Sequence, residues 1–272
     1  MITFNNLPAH SITVLSGKGG VGKTTFSIYL ATALAKAGKK VLLIDADFSL
    51  GKINAALKIK AKYTFNDFIQ GERTLEEVIV DGPEGMKIIP AASGISDLSN
   101  LSNRKRDVFI KNIKTAFWEM DYIIVDCPAG IAKHVIGFSM ATRETVCVCT
   151  PEIMSLTDSY SVYKLLKKVK ADSDVKFIMN RVTAKSSYLD NIYKIYNAVK
   201  KQLHDEIETL GYINECPEAA DFELVRKKHR KIEGATKFLK NIDEVATYFL
   251  GKYPEIEMKK TRVAKRKKVI KS

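Results

Sequence analysis

The stretch Gly17-Lys18-Gly19-Gly20-Val21-Gly22-Lys23-Thr24-Thr25 fits the pattern G-x-x-x-x-G-K-[ST]. An apolar run, Ile12 to Leu15, precedes it, and a segment with helical spacing follows. Strand, glycine-rich loop and helix in that order make a phosphate-binding loop: the glycines let backbone N–H groups turn inward, and the helix start adds its positive end. Lys23 is then expected to set an ammonium on the β and γ phosphates of a nucleoside triphosphate, and the Thr24 hydroxyl to bind Mg²⁺. A glycine-rich turn that binds nothing would need neither the lysines nor these flanks.

Outward from this loop, apolar runs alternate with helical patterns. That predicts a doubly wound, mostly parallel α/β sheet flanked by helices. Strands are expected at Ile12–Ser16, Val41–Asp45, Met86–Pro90, Tyr122–Asp126, Thr145–Thr150 and Val175–Met179. Several are unbroken Val/Ile/Leu runs, as in strands covered on both faces. The first helix places Phe26, Leu30, Ala33, Leu34 and Ala37 on one side and closes at Gly38. A later helix places Leu189, Ile192, Tyr196, Val199 and Leu203 on its apolar side. A last stripe joins Ala235, Phe238, Leu239, Ile242, Val245, Ala246, Phe249 and Leu250. It reads as a helix packed on the sheet rather than on a membrane, because Asp243 and Glu244 beside it do not help binding to anionic lipid.

At 272 residues, 46% apolar and 28% charged, the chain suits one α/β domain with a substantial core. No run approaches the length of a membrane-spanning helix, and residues 1–10 lack a signal peptide's pattern, so a cytoplasmic location is expected. Cys127, Cys147, Cys149 and Cys216 show no CxxC spacing and read as buried, reduced thiols. Of the net charge of +13, eight come from Met258–Ser272, which holds Lys259, Lys260, Arg262, Lys265, Arg266, Lys267, Lys268 and Lys271 and no acid. The expected organisation is a nucleotide-binding domain over 1–255 and a basic, disordered interaction tail over 256–272.

Two acidic segments complete the candidate site: Ile44-Asp45-Ala46-Asp47, and Asp126-Cys127-Pro128-Ala129-Gly130. Carboxylates at the C-terminal ends of parallel strands fall beside the loop that follows the first strand. One such aspartate alone is better read as a cap or turn, but three beside a phosphate loop point to metal and water.

The loop KGGVGKTT, with its early Lys18, resembles the deviant Walker A motif of the MinD/ParA group of ATPases. The resemblance covers about residues 10–250 and implies ATP and Mg²⁺ as ligands and a homodimer formed on ATP. In that group the early lysine reaches the partner's phosphates, which implies the role for Lys18. Asp126 resembles a Walker B aspartate, Asp45 would support the Mg²⁺ shell, and Asp47 would orient the attacking water. Asn180 and Arg181 match the segment that reads adenine, and Glu152 matches an acid that meets the partner's ribose. Where relatives read I-P-x-D, this chain has Asn214 and Cys216.

Three segments resemble the branch that regulates flagellar number (the FlhG, FleN or YlxH type). They are Thr64–Gly71 with the following Gly82–Gly94, then Asp126–Ile131, then Thr150–Tyr160. The resemblance implies a slow ATPase working as a switch, with a flagellar-assembly GTPase or regulatory protein as partner. Only about ten residues precede the first strand, so the glutamine-rich arm with which many such relatives activate their GTPase is not expected. The basic tail is expected to touch an anionic membrane in preference to DNA. A partitioning ATPase that binds DNA, and a scaffold adaptor with vestigial hydrolysis, are the alternative readings.

Overall fold

The structure is a computed structural model that describes residues 9–47, 51–64, 67–68, 71–91, 119–226 and 235–252. The basic tail, residues 92–94, and residues 65, 66, 69 and 70 of the first flagellar-type segment lie outside the described residues.

Among the described residues, eight strands form one sheet: β1 His10–Ser16, β2 Val41–Asp45, β3 Val80–Asp81, β4 Lys87–Ile89, β5 Tyr122–Ala129, β6 Glu144–Cys149, β7 Val175–Val182 and β8 Glu208–Asn214. Their order is β3-β4-β2-β5-β1-β6-β7-β8. Every pairing is parallel except that of β3 with β4. The helices are α1 Lys23–Lys36, α2 Lys52–Leu57, α3 Leu75–Val78, α4 Lys133–Ala141, α5 Ile153–Val169, α6 Lys185–Leu203, α7 Glu223–Arg226 and α8 Ala235–Lys252.

Side chains along a strand point to opposite faces, so a sheet covered on both sides sends neighbouring residues into different cores. Val41, Leu43, Tyr122, Ile124, Val146 and Val148 enter one cluster with Phe26 and Leu30 of α1 and Phe238 and Phe249 of α8. Leu42, Ile44, Ile123, Val125, Cys147 and Cys149 enter the other, with Val135 of α4, Leu156 of α5 and Ile195 of α6. Helices thus cover both faces of the sheet. At the end of α1, Gly38 takes φ +79. Its N–H reaches Ala35 O at 2.9 Å, and that of Lys39 reaches Leu34 O at 3.2 Å, which satisfies the last carbonyls of the helix. The final stripe is buried as expected: Ala235, Phe238, Ile242, Val245, Ala246 and Phe249 are each at most 4% exposed. Phe238 meets Tyr29 edge-on at 4.9 Å, and the Tyr122 hydroxyl donates to Phe249 O at 3.1 Å.

Three expectations are corrected. Strands β3 and β8 were not anticipated: β3 has two residues, and β8 is a mixed-polarity edge strand interrupted by Gly211 at φ +95. Strands β5 and β7 run on past Asp126 and Met179, so Asp126, expected as the last residue of its strand, and the Asn180-Arg181 pair, expected after theirs, both lie inside strands. Helix α6 is rotated from the expected face. It buries Tyr188, Asn191, Ile195 and Val199, while Leu189 stays 52% exposed.

Candidate nucleotide site

The loop after β1 meets the ends of β2, β5 and β7 on the carboxyl edge of the sheet, where open α/β folds bind ligands. Two glycines in it have no substitute. A Cβ on Gly17 would strike Asp158 of α5, and one on Gly22, at φ +95, would strike the Asn180 amide. The Asn180 Nδ2 donates to Val21 O at 2.9 Å, so β7 holds the loop from one side. Arg181 beside it sits exposed at φ +57. Helix α1 begins at the loop with no acidic residue in its first turn, which leaves its positive end available to an anion.

Lys23 is 7% exposed, and burial lowers its pKa against the pull of Asp126 and Asp47. Its Nζ donates to Ser16 Oγ at 2.9 Å, and that hydroxyl donates to Lys18 O at 2.6 Å. Asp126 is 1% exposed and accepts hydrogen bonds from Thr24 Oγ1 at 2.7 Å and Ser27 Oγ at 2.9 Å. Burial nevertheless pushes its pKa up to about 6. Asp45 is fully buried and its pKa is pushed up to about 7, again by burial. Its two oxygens accept the N–H groups of Asp47 at 3.0 Å and Ile53 at 3.1 Å, so it holds the turn that presents Asp47. The Asp47 Oδ2 lies 2.7 Å from Lys52 Nζ.

These residues fit a triphosphate with a divalent cation. A buried carboxylate reluctant to ionise, next to a hydroxyl, suits a cation that would neutralise it. No group of three His, Cys, Asp or Glu among the described residues would hold a metal by itself. Thr24 and Asp126 would therefore share the ion with phosphate oxygens, the usual arrangement for Mg²⁺. Lys18 and Glu152, read from sequence as reaching a partner molecule, pair with each other at the rim at 2.5 Å. Both are exposed, and Lys18 holds the Glu152 carboxyl below its ordinary pKa.

Sequence reasoning missed four contributors: Ser16, Ser27, Lys52 and Asp158. Ser27 was legible, because it lies one turn after Thr24 and so faces the same carboxylate. Asn214 is engaged elsewhere: its N–H donates to Asn241 Oδ1 at 3.0 Å and its Nδ2 to Val182 O at 3.2 Å.

Fold and site define a P-loop protein of the doubly wound type, built around a nucleoside-triphosphate loop. The AAA-domain family model matches residues 9–179. The antiactivator FleN of Pseudomonas aeruginosa is 33% identical over 76% of this chain and 74% of its own. The flagellum site-determining protein YlxH of Helicobacter pylori is 30% identical over 89% and 82%. The MinC:MinD cell division complex of Aquifex aeolicus superposes with a TM-score of 0.71 at 28% identity, covering 89% of this chain and 96% of that one. The septum site-determining protein MinD of Pyrococcus horikoshii, complexed with Mg-ADP, gives 0.66 at 29% identity over 87% and 96%. The chain belongs to the MinD/ParA family of P-loop ATPases.

Proposed function

We propose that this protein is a switch that dimerises on ATP, hydrolyses it slowly and regulates the number or placement of flagella. The observation that carries the dimer is the rim of the nucleotide site. Lys18 and Glu152 stand exposed there, and Ile131, Ile153 and Met154, each at least 55% exposed, lie in the segments beside them. Apolar side chains so placed, next to two opposite charges, suit a second copy laid over the phosphates. Thr24 and Asp126 hold Mg²⁺ with Asp45 in support, Lys23 and Lys18 bind phosphates, and Asp47 orients water. Asn180, Arg181 and Glu152 contact the nucleoside. The likeness to FleN and YlxH supports the flagellar use, with a flagellar-assembly GTPase or regulatory protein as partner.

Light scattering with Mg²⁺ and ATP, set against ADP, tests the switch. A dimer is expected with ATP alone, and Lys18→Ala should remain monomeric while still binding nucleotide. Counting flagella per cell after deletion of the gene tests the use; unchanged counts with mis-segregated plasmids would favour partitioning. Among the described residues no helix is long and apolar enough to cross a membrane. We propose that the tail supplies membrane contact by charge, since each Lys or Arg near an anionic surface contributes about 1 kcal/mol. Liposome and duplex-DNA binding by the full chain, compared with a chain ending at Tyr253, checks it. Equal liposome binding by both would remove the tail from the scheme.

A further inference from the structure

Among the described residues, Lys52, the first residue of α2, is a cation near the site that the scheme above leaves without a task. Its ammonium lies 2.7 Å from Asp47 Oδ2, and the two side chains differ sharply in exposure, 47% for Lys52 and 7% for Asp47. A half-exposed lysine on a nearly buried carboxylate is not a surface ion pair of negligible consequence, because the acid cannot turn to water instead. The charge of Lys52 also acts on both Lys23 and Asp126, so its head group lies on the side of the phosphate loop. Asp45 fixes this arrangement from below: it takes the N–H of Asp47 with one oxygen and that of Ile53, the residue after Lys52, with the other. One buried carboxylate therefore sets the spacing between Asp47 and Lys52.

We propose that Lys52 is a positioning residue that senses the γ-phosphate: it engages the Asp47 carboxylate in the absence of that phosphate, and transfers to the phosphate when ATP is bound, freeing Asp47. The inference rests on the reading of Asp47 as the water-orienting group. An ammonium on Asp47 Oδ2 takes up an acceptor site of that oxygen and draws its charge away from a water. A terminal phosphate carries more negative charge than a carboxylate and competes for the same three donors. A diphosphate does not extend to that position, so the pair stays closed on ADP. The flexible four-carbon stem of lysine makes the transfer a rotamer change without backbone movement.

The test is calorimetry on Lys52→Gln and Lys52→Arg, with ADP and with a non-hydrolysable ATP analogue, each with Mg²⁺. Lys52→Gln is expected to weaken the analogue about tenfold, as for loss of one charge-assisted contact, while ADP affinity stays within about twofold. Lys52→Arg should restore most of the analogue affinity. Equal loss for both nucleotides, or no loss for either, would overturn the assignment. Turnover of Asp47→Asn is measured beside it. If that variant hydrolyses ATP at the wild-type rate, the role of Asp47 fails, whereas the analogue-to-ADP ratio of Lys52→Gln still decides whether Lys52 senses the γ-phosphate.

Discussion

Thr24 and Asp126 are 102 positions apart in the chain and meet at 2.7 Å, the hydroxyl at the start of α1 donating to a carboxylate within β5. The contact ties the phosphate loop to the strand at the centre of the sheet. It also leaves a negative charge where almost no water reaches, 1% exposed and supported by two hydroxyls.

That charge has a cost with a definite pH dependence. Asp126 titrates at about 6 in the folded chain, above the ordinary 3.8. The folded state therefore holds the proton more tightly, and stability from this group is complete below the ordinary value and lost as pH rises through about 6. Asp45, raised to about 7, acts in the same direction. Asp126→Asn, which keeps the shape and removes the charge, should stabilise the nucleotide-free protein at pH 8 by on the order of 3 kcal/mol and so raise its Tm. At pH 5 the gain should shrink. Melting curves at the two pH values check this, and a gain independent of pH would contradict it.

Lys23→Ala should abolish phosphate engagement if, as proposed, this buried ammonium meets the β and γ phosphates. Calorimetric titration with Mg²⁺ and ATP reads the loss, and unchanged affinity would remove Lys23 from the site.

Asp47→Ala should trap the ATP-bound dimer. The phosphate contacts remain, while orientation of the attacking water is lost, an effect typically worth about 10²–10⁴-fold in rate. Single-turnover hydrolysis alongside light scattering tests it: wild-type turnover would exclude Asp47.

Phe249→Ala should destabilise the fold by about 3–5 kcal/mol, the usual cost of emptying a buried phenyl site. Phe249 is fully buried, 5.9 Å from the ring of His10 and 5.2 Å from that of Tyr248. Urea unfolding measures the loss. A change below about 1 kcal/mol would mean that α8 is only loosely attached, since surface positions typically show shifts of that size or less.

How much of this was legible in the sequence depends on how local the signal is. The phosphate loop, β2 and the acids that end it could be read directly, because spacing and apolar runs encode them. Asp126 was found, but the extension of β5 beyond it depends on pairing with β1, where Ser16 aligns with Ala129 across an irregular register. In α6 both faces carry apolar residues and the buried line includes the polar Asn191, so periodicity found Val199 and the partly buried Ile192 and Leu203 but set the centre of the face off by Leu189. Lys52 gave no signal at all. Its meeting with Asp47 depends on the two hydrogen bonds of Asp45 and on Gly51, which adopts φ +52, and none of these is encoded in spacing.

The seating of α8 has a directional consequence. Its last turns lie against His10 and Tyr122, the first residues of β1 and β5, whereas the phosphate loop leaves the opposite ends of these strands. Whatever follows Lys252 sets out from the pole distant from the nucleotide. The point at which α8 ends is thus separated from the phosphate loop by the length of the central strands, so the two poles of the domain offer independent surfaces.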